Sequence, residues 1–79
     1  MKLKILSPEK ELYKSTVNGF NITTLSGEIT ILDNHGSLIS MFNDGIAHII
    51  DNQDKRRQIE LKAGFLEMTP ENELNVLTE

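Results

Sequence analysis

The chain reads as an all-β domain, and three observations carry that reading. Polar and apolar residues alternate with period two along the whole length, turn-forming clusters interrupt the alternation about every 8–12 residues, and no stretch sustains a 3.6-residue period. Roughly nine or ten short strands are expected, the spacing of a sandwich or barrel. With 79 residues, the sequence supports a single domain spanning residues 1–79.

The elements follow in order. Lys2-Leu3-Lys4-Ile5-Leu6 alternates and then meets Ser7-Pro8, where proline removes a ladder donor and ends the first strand. Lys10 to Thr16 is a weaker strand anchored by Tyr13. A helix over Pro8–Lys14 competes, since proline suits the first helical position, but β-formers continue through Val17 and strand is the preferred reading. From Val17 to Thr24, Phe20 and Ile22 alternate with Asn21 and Thr23 around Gly19, the pattern of a half-buried strand with a bulge. Leu25-Ser26-Gly27 turns into Glu28–Leu32. Asp33-Asn34-His35-Gly36 forms a loop, and Leu38–Phe42 closes on the turn Asn43-Asp44-Gly45. Ile46–Ile50, Arg57–Leu61, Gly64–Thr69 and Leu74–Leu77 complete the strands, with turns at Asp51–Lys55 and Pro70–Asn72. Lys2, Lys4 and the Lys55-Arg56-Arg57 hairpin read as charges that protect sheet edges from pairing between molecules.

Composition narrows the function classes. There is no cysteine, which excludes disulfides, zinc-thiolate sites and a thiol nucleophile. A net charge of −4, no tryptophan and a single basic cluster leave no electrostatic footprint for nucleic acid, so no nucleic-acid partner is expected. No run is long enough to span a bilayer. Signal-peptide architecture is missing as well. His35 and His48 are the only histidines. His35 is two residues from Asp33, but a turn neighbour does not make a triad, and two distant histidines do not make a zinc site. The expectation is that the His35 ring hydrogen-bonds backbone and shapes its loop. No catalytic, cofactor-binding or metal-binding residue is assigned, and the chain reads as a non-enzymatic binding or structural module.

The ordered pieces Lys4–Pro8, Gly27–Leu32, His35, Leu38-Ile39, Gly45, Gly64–Glu67 and Asn75-Val76-Leu77 resemble the ε subunit of F-type ATP synthase, in its N-terminal β-sandwich domain, over the whole chain. The most specific piece is Ile31-Leu32-x-x-His35-x-x-Leu38, where Thr30, Asp33, Gly36 and Ser37 replace the usual Gly, Pro, Ala and Pro. Losing two prolines should loosen that loop. The resemblance implies a flattened ten-stranded sandwich of two five-stranded sheets. It further implies a central-stalk rotor subunit that links the γ subunit to the membrane c-ring and couples proton flux to ATP synthesis. Such a subunit is peripheral to the cytoplasmic face of a bacterial inner membrane, held there through the complex and not inserted. Carried over by position, the c-ring contact would be Thr23, Thr24, Leu25, Ser26, Gly27 and Glu28 together with His35. The γ contact would involve Met41, Phe42, Ile46, His48 and Ile50. No cofactor is implied. The family's usual C-terminal helical hairpin has no counterpart within these residues, so helix-mediated inhibition is not expected of them. The competing reading, a biotinyl or lipoyl carrier module, needs a lysine beside a methionine at a hairpin tip, and neither Lys55 nor Lys62 has that neighbour.

Overall fold

The computed structural model describes Met1–Glu79 as eight strands without a helix. They are β1 (Lys2–Leu6), β2 (Glu11–Thr24), β3 (Gly27–Leu32), β4 (Leu38–Phe42), β5 (Gly45–Asp51), β6 (Arg56–Leu61), β7 (Gly64–Met68) and β8 (Glu73–Thr78). The strand order is β4-β7-β8-β1-β2-β5-β6, with β3 on the second half of β2. All pairs are antiparallel except β1 with β8.

The expected ten strands are eight because Lys10–Thr16 and Val17–Thr24 are one strand. No turn signal separates them, and β2 runs unbroken for 14 residues. Its first half pairs with β1 and its second half with β3 and β5. Between the halves the register slips, with Val17 opposite Asp51 and Gly19 opposite Ile50. The extra residue shifts the inward positions from Val17 to Phe20 and Ile22, so the strand bends and carries the chain from one half of the sheet to the other. The expected all-β class holds: β4-β7-β8-β1-β2 and β3-β2-β5-β6 form two sheets that share β2 and so join into one curled eight-stranded sheet. Its extents of 26 × 22 × 20 Å are those of a rounded body and not a flattened one.

Curling brings the inner faces of both halves onto one core of 15 buried apolar residues. Leu3, Ile5, Leu66, Met68, Leu74 and Val76 come from the β7–β8–β1 side, and Phe20, Ile22, Ile31, Ala47, Ile49 and Leu61 from the β3–β2–β5–β6 side. Each large side chain sealed here contributes about 1.5–3 kcal/mol relative to exposure. The Asn43–Asp44 turn does not close a hairpin: β4 pairs with β7 while β5 pairs with β2 and β6, so the turn crosses between halves. Asp44 Oδ1 anchors it by accepting the Ala63 backbone N–H at 2.8 Å. The sheet ends on β4 and β6, so Arg56 and Arg57 do sit on an edge strand, but β1 lies between β8 and β2 and its lysines guard no edge.

Candidate functional site

The loop after β3 is ordered by residues other than its histidine. The Met1 α-ammonium donates to Val17 O at 3.0 Å and to Asp33 Oδ1, and Asn72 Nδ2 donates to the same Asp33 oxygen at 2.8 Å. Asn72 Oδ1 accepts the Asn34 backbone N–H at 2.7 Å, which holds Asn34 at a left-handed φ of 60°. The ammonium and the Asn72 amide hold the Asp33 carboxyl below the usual carboxylate range. His35 closes the turn through its backbone N–H to Leu32 O at 3.1 Å. Its ring is exposed and makes no hydrogen bond, so the expected loop-shaping role belongs to Asp33 and Asn72. The rigidity that two prolines would supply comes from this tether.

The other end of β3 is the hairpin Thr23–Glu28. Thr24 and Gly27 face each other across the two-residue turn Leu25-Ser26, and Gly27 takes a φ of 114° that favours glycine. Thr24 Oγ1 donates to Gly27 O at 2.9 Å and accepts the Ser26 N–H at 3.1 Å. Its side chain is buried and fixes the turn, leaving Thr23, Leu25, Ser26 and Glu28 as the accessible tip. Glu28 Oε2 accepts from Asn21 Nδ2 at 3.3 Å. The tip and the His35 loop are thus separated by the four β3 residues Ile29–Leu32, about 13 Å of strand. The residues grouped from the sequence therefore lie at the two ends of β3.

The expected γ-contact residues are also split. Phe42 is 2% exposed and belongs to the core, because it shares the inward parity of β4. Met41 points outward from β4, whereas Ile46, His48 and Ile50 point outward from β5, in the other half of the curled sheet.

What the structure brings together around Met41 is a row that sequence reasoning missed. Met41 pairs with Phe65, Phe65 with Leu77, and Leu77 with Leu6, so four apolar side chains from β4, β7, β8 and β1 lie side by side on the outer face. Met41 is 60% exposed and Phe65 45%. Leu25 joins them from the hairpin tip, its N–H bonded to Met41 O at 3.0 Å. Together with Pro8 these residues line an open groove of about 550 Å³. One signal was present in the sequence: Leu66 and Met68 take the inward parity of β7, which leaves Phe65 on the outside without a structural need. Close packing underlies the row, for a Cβ on Gly64 would sit 1.9 Å from Leu77 O.

The turn between β5 and β6 is a separate ordered feature. Asp51 Oδ1 accepts the backbone N–H groups of Gln53 at 2.8 Å and Lys55 at 3.0 Å, and Arg57 Nε lies 3.7 Å from Oδ2. The Lys55 and Gln53 hydrogen bonds, aided by the charges of Arg57 and Lys55, hold the Asp51 carboxyl below its ordinary range. Lys55 therefore sits in a braced turn and Lys62 lies 3.9 Å from Asp44 Oδ2.

All 79 residues match the domain family described as "ATP synthase, Delta/Epsilon chain, beta-sandwich domain". Similar proteins include the ATP synthase epsilon chain of Aquifex aeolicus, 30% identical over the whole of this chain and 58% of its own length. That of Hydrogenobaculum is 32% identical, with 56% of its length covered. The mitochondrial ATP synthase subunit delta of Neurospora crassa is 31% identical over 96% of this chain and 47% of its own. The chain thus spans about half to three fifths of the length of these relatives. A chain in the Euglena gracilis mitochondrial ATP synthase OSCP/F1/c-ring structure superposes with a TM-score of 0.89 at 19% identity, over 96% of this chain and 48% of that one. A chain of the Tetrahymena thermophila central stalk/c-ring structure gives 0.84 at 13% identity, over 99% and 62%. The second pair of likenesses speaks for the fold, and the whole-length family match goes further: the chain belongs to the ATP synthase delta/epsilon-chain β-sandwich family.

Proposed function

We propose that this domain is a non-catalytic central-stalk subunit of an F-type ATP synthase, joining the γ subunit to the c-ring so that both turn together. The observation that carries this reading is the match of all 79 residues to the delta/epsilon-chain sandwich. The outer row Leu6–Leu77–Phe65–Met41 supports it, since an apolar strip across four strands is more than a free monomer needs to expose. On this reading γ covers that row, with Met41 retained from the expected set and Phe42, Ile46, His48 and Ile50 left out. The hairpin tip Thr23–Glu28 faces the c-ring, with Glu28 offering a carboxylate to its polar loops. His35, at the far end of β3, does not. The domain acts at the membrane through its partners, on the cytoplasmic face of a bacterial inner membrane; no helix is long and apolar enough to cross one.

Co-purification of the chain with γ and with assembled c-ring from the same source tests the reading. Retention of γ, and of the ring once γ is present, is expected, on an interface burying at least about 1,000 Å². Failure to retain either protein overturns it.

A further inference from the structure

The outer face that carries the apolar row also carries a second chemistry. Lys4 stands opposite Lys14 across the β1–β2 pair, and Lys2 is two residues away on the same face, opposite Thr16. On the other flank Lys2 faces Glu73 and Lys4 faces Asn75 of β8. These six residues bound a shallow groove of about 450 Å³. None of the three lysines forms an ion pair within 4 Å, although the chain has 12 acidic residues to 8 basic ones. Like charges placed directly opposite one another are destabilising in a sheet. Edge protection does not explain Lys2 and Lys4, since β1 has a strand on either side. Lys14 sits on the part of β2 that has β1 alone beside it.

The cationic cluster and the apolar row are neighbours. Leu6 is two residues from Lys4 on β1, and Leu77 two from Asn75 on β8, a separation of about 7 Å along each strand. One partner segment lying across the strands therefore meets both. We infer that the outer face of β4–β7–β8–β1–β2 receives a γ segment that combines an apolar strip, seated on Met41, Phe65 and Leu77, with carboxylates set against Lys2, Lys4 and Lys14. This rests on the proposed function, and adds that the γ surface here is acidic and that the lysines supply register and approach. The unpaired charge of the free domain is then compensated in the complex. Charged groups of this kind govern encounter and orientation more than total affinity.

The test measures binding of purified γ to wild-type chain and to Lys4→Glu/Lys14→Glu at 50 and 300 mM NaCl. Wild-type affinity should fall about 5-fold or more between the two salts. The double variant should bind about 10-fold more weakly at 50 mM and lose the salt dependence. Circular dichroism checks that the double variant is folded; if it is not, Lys14→Glu alone, on the outermost part of the cluster, gives the same comparison with a smaller loss. Unchanged γ affinity in a folded variant overturns the inference and leaves the proposed function standing, whereas no γ binding by wild-type chain overturns both. Loss of binding to phosphatidylglycerol vesicles without loss of γ binding also overturns it, in favour of a lipid headgroup as the anion.

Discussion

The two halves of the curled sheet bury similar side chains and expose different ones. Outside β4, β7, β8 and β1 runs the strip Met41, Phe65, Leu77 and Leu6, bordered by lysines. Outside β3, β2, β5 and β6 the corresponding cross-strand row is Thr30, Asn21, His48 and Gln58, tied together where Asn21 Nδ2 donates to Thr30 Oγ1 at 2.8 Å. Core packing demands nothing of either outer face. A polar ladder is satisfied by its neighbours and by solvent and needs no cover, whereas an apolar strip gains by burial against something else. The difference is why the proposed docking side is the Met41–Phe65–Leu77–Leu6 face, although Leu32 and Ile46 are exposed singly on the other.

The largest expected effect is on the support beneath that strip. Gly64→Ala drives a methyl group into the Leu77 carbonyl, a backbone atom that cannot step aside, and should cost at least about 3 kcal/mol in a urea denaturation series. Gly45→Ala, at the start of β5, meets nothing nearer than Asn43 O at 3.8 Å and should stay within about 1 kcal/mol. Equal losses at the two glycines would remove this asymmetry.

Binding should separate the faces next. Phe65→Ala is expected to weaken γ binding by about 2 kcal/mol in titration calorimetry, as for a central aromatic contact. Ile46→Ala, on the opposite outer face, should change it by less than about 0.5 kcal/mol. A larger loss at Ile46 would move the docking side to β5.

Loop variants should show smaller, graded effects. Asn72→Ala removes the bonds to Asp33 and Asn34 and places alanine at a φ of 64°, with an expected cost of about 1–2 kcal/mol. His35→Ala removes no hydrogen bond and should stay within about 0.5 kcal/mol. Thermal melts of the pair decide which residue orders the loop.

Acid should act through Asp33 and Asp51. Both carboxyls are held below their ordinary range by native hydrogen bonds, so the folded state binds protons less readily than the unfolded chain. Their stabilisation is complete above about pH 4 and is lost as pH falls through the lowered folded values. Asp33→Asn and Asp51→Asn should each flatten the decline of the denaturation midpoint below pH 4. A decline as steep as that of wild type would show that neither carboxyl drives it.

Much of the fold was legible in the residues and its assembly was not. Period-two alternation located the strands, Ser7-Pro8 ended the first of them, and the glycine at 19 marked the bulge. The absence of a turn signal between Thr16 and Val17 was legible too, but strand length priors favoured cutting there. Pairing order could not be read, because alternation specifies which face is buried and carries no record of the neighbour. Hence the Asn43–Asp44 turn was legible as a turn, but not that it crosses between halves. The Met1–Asp33–Asn72 tether and the Met41–Phe65–Leu77–Leu6 row escaped for the same reason: each joins residues distant in sequence that only register makes adjacent. His35 drew notice as the rarer chemistry in its loop, while the ordering there is done by two ordinary polar side chains.

The parallel pairing of β1 with β8 has a kinetic consequence. Lys2 meets Glu73 and Leu6 meets Leu77, so the first strand gains one of its two neighbours from the last strand of the domain. Nearly the whole intervening chain is a loop that must be closed before that ladder rewards it, and the closure entropy falls on the rate. Folding should be slow for a domain of this size, in the millisecond-to-second range of nonlocal β topologies. Until β8 arrives, Leu3 and Ile5 lack part of their cover and the free edge of β1 is open to pairing with another molecule. The seam that closes the domain is thus the place where assembly competes with aggregation.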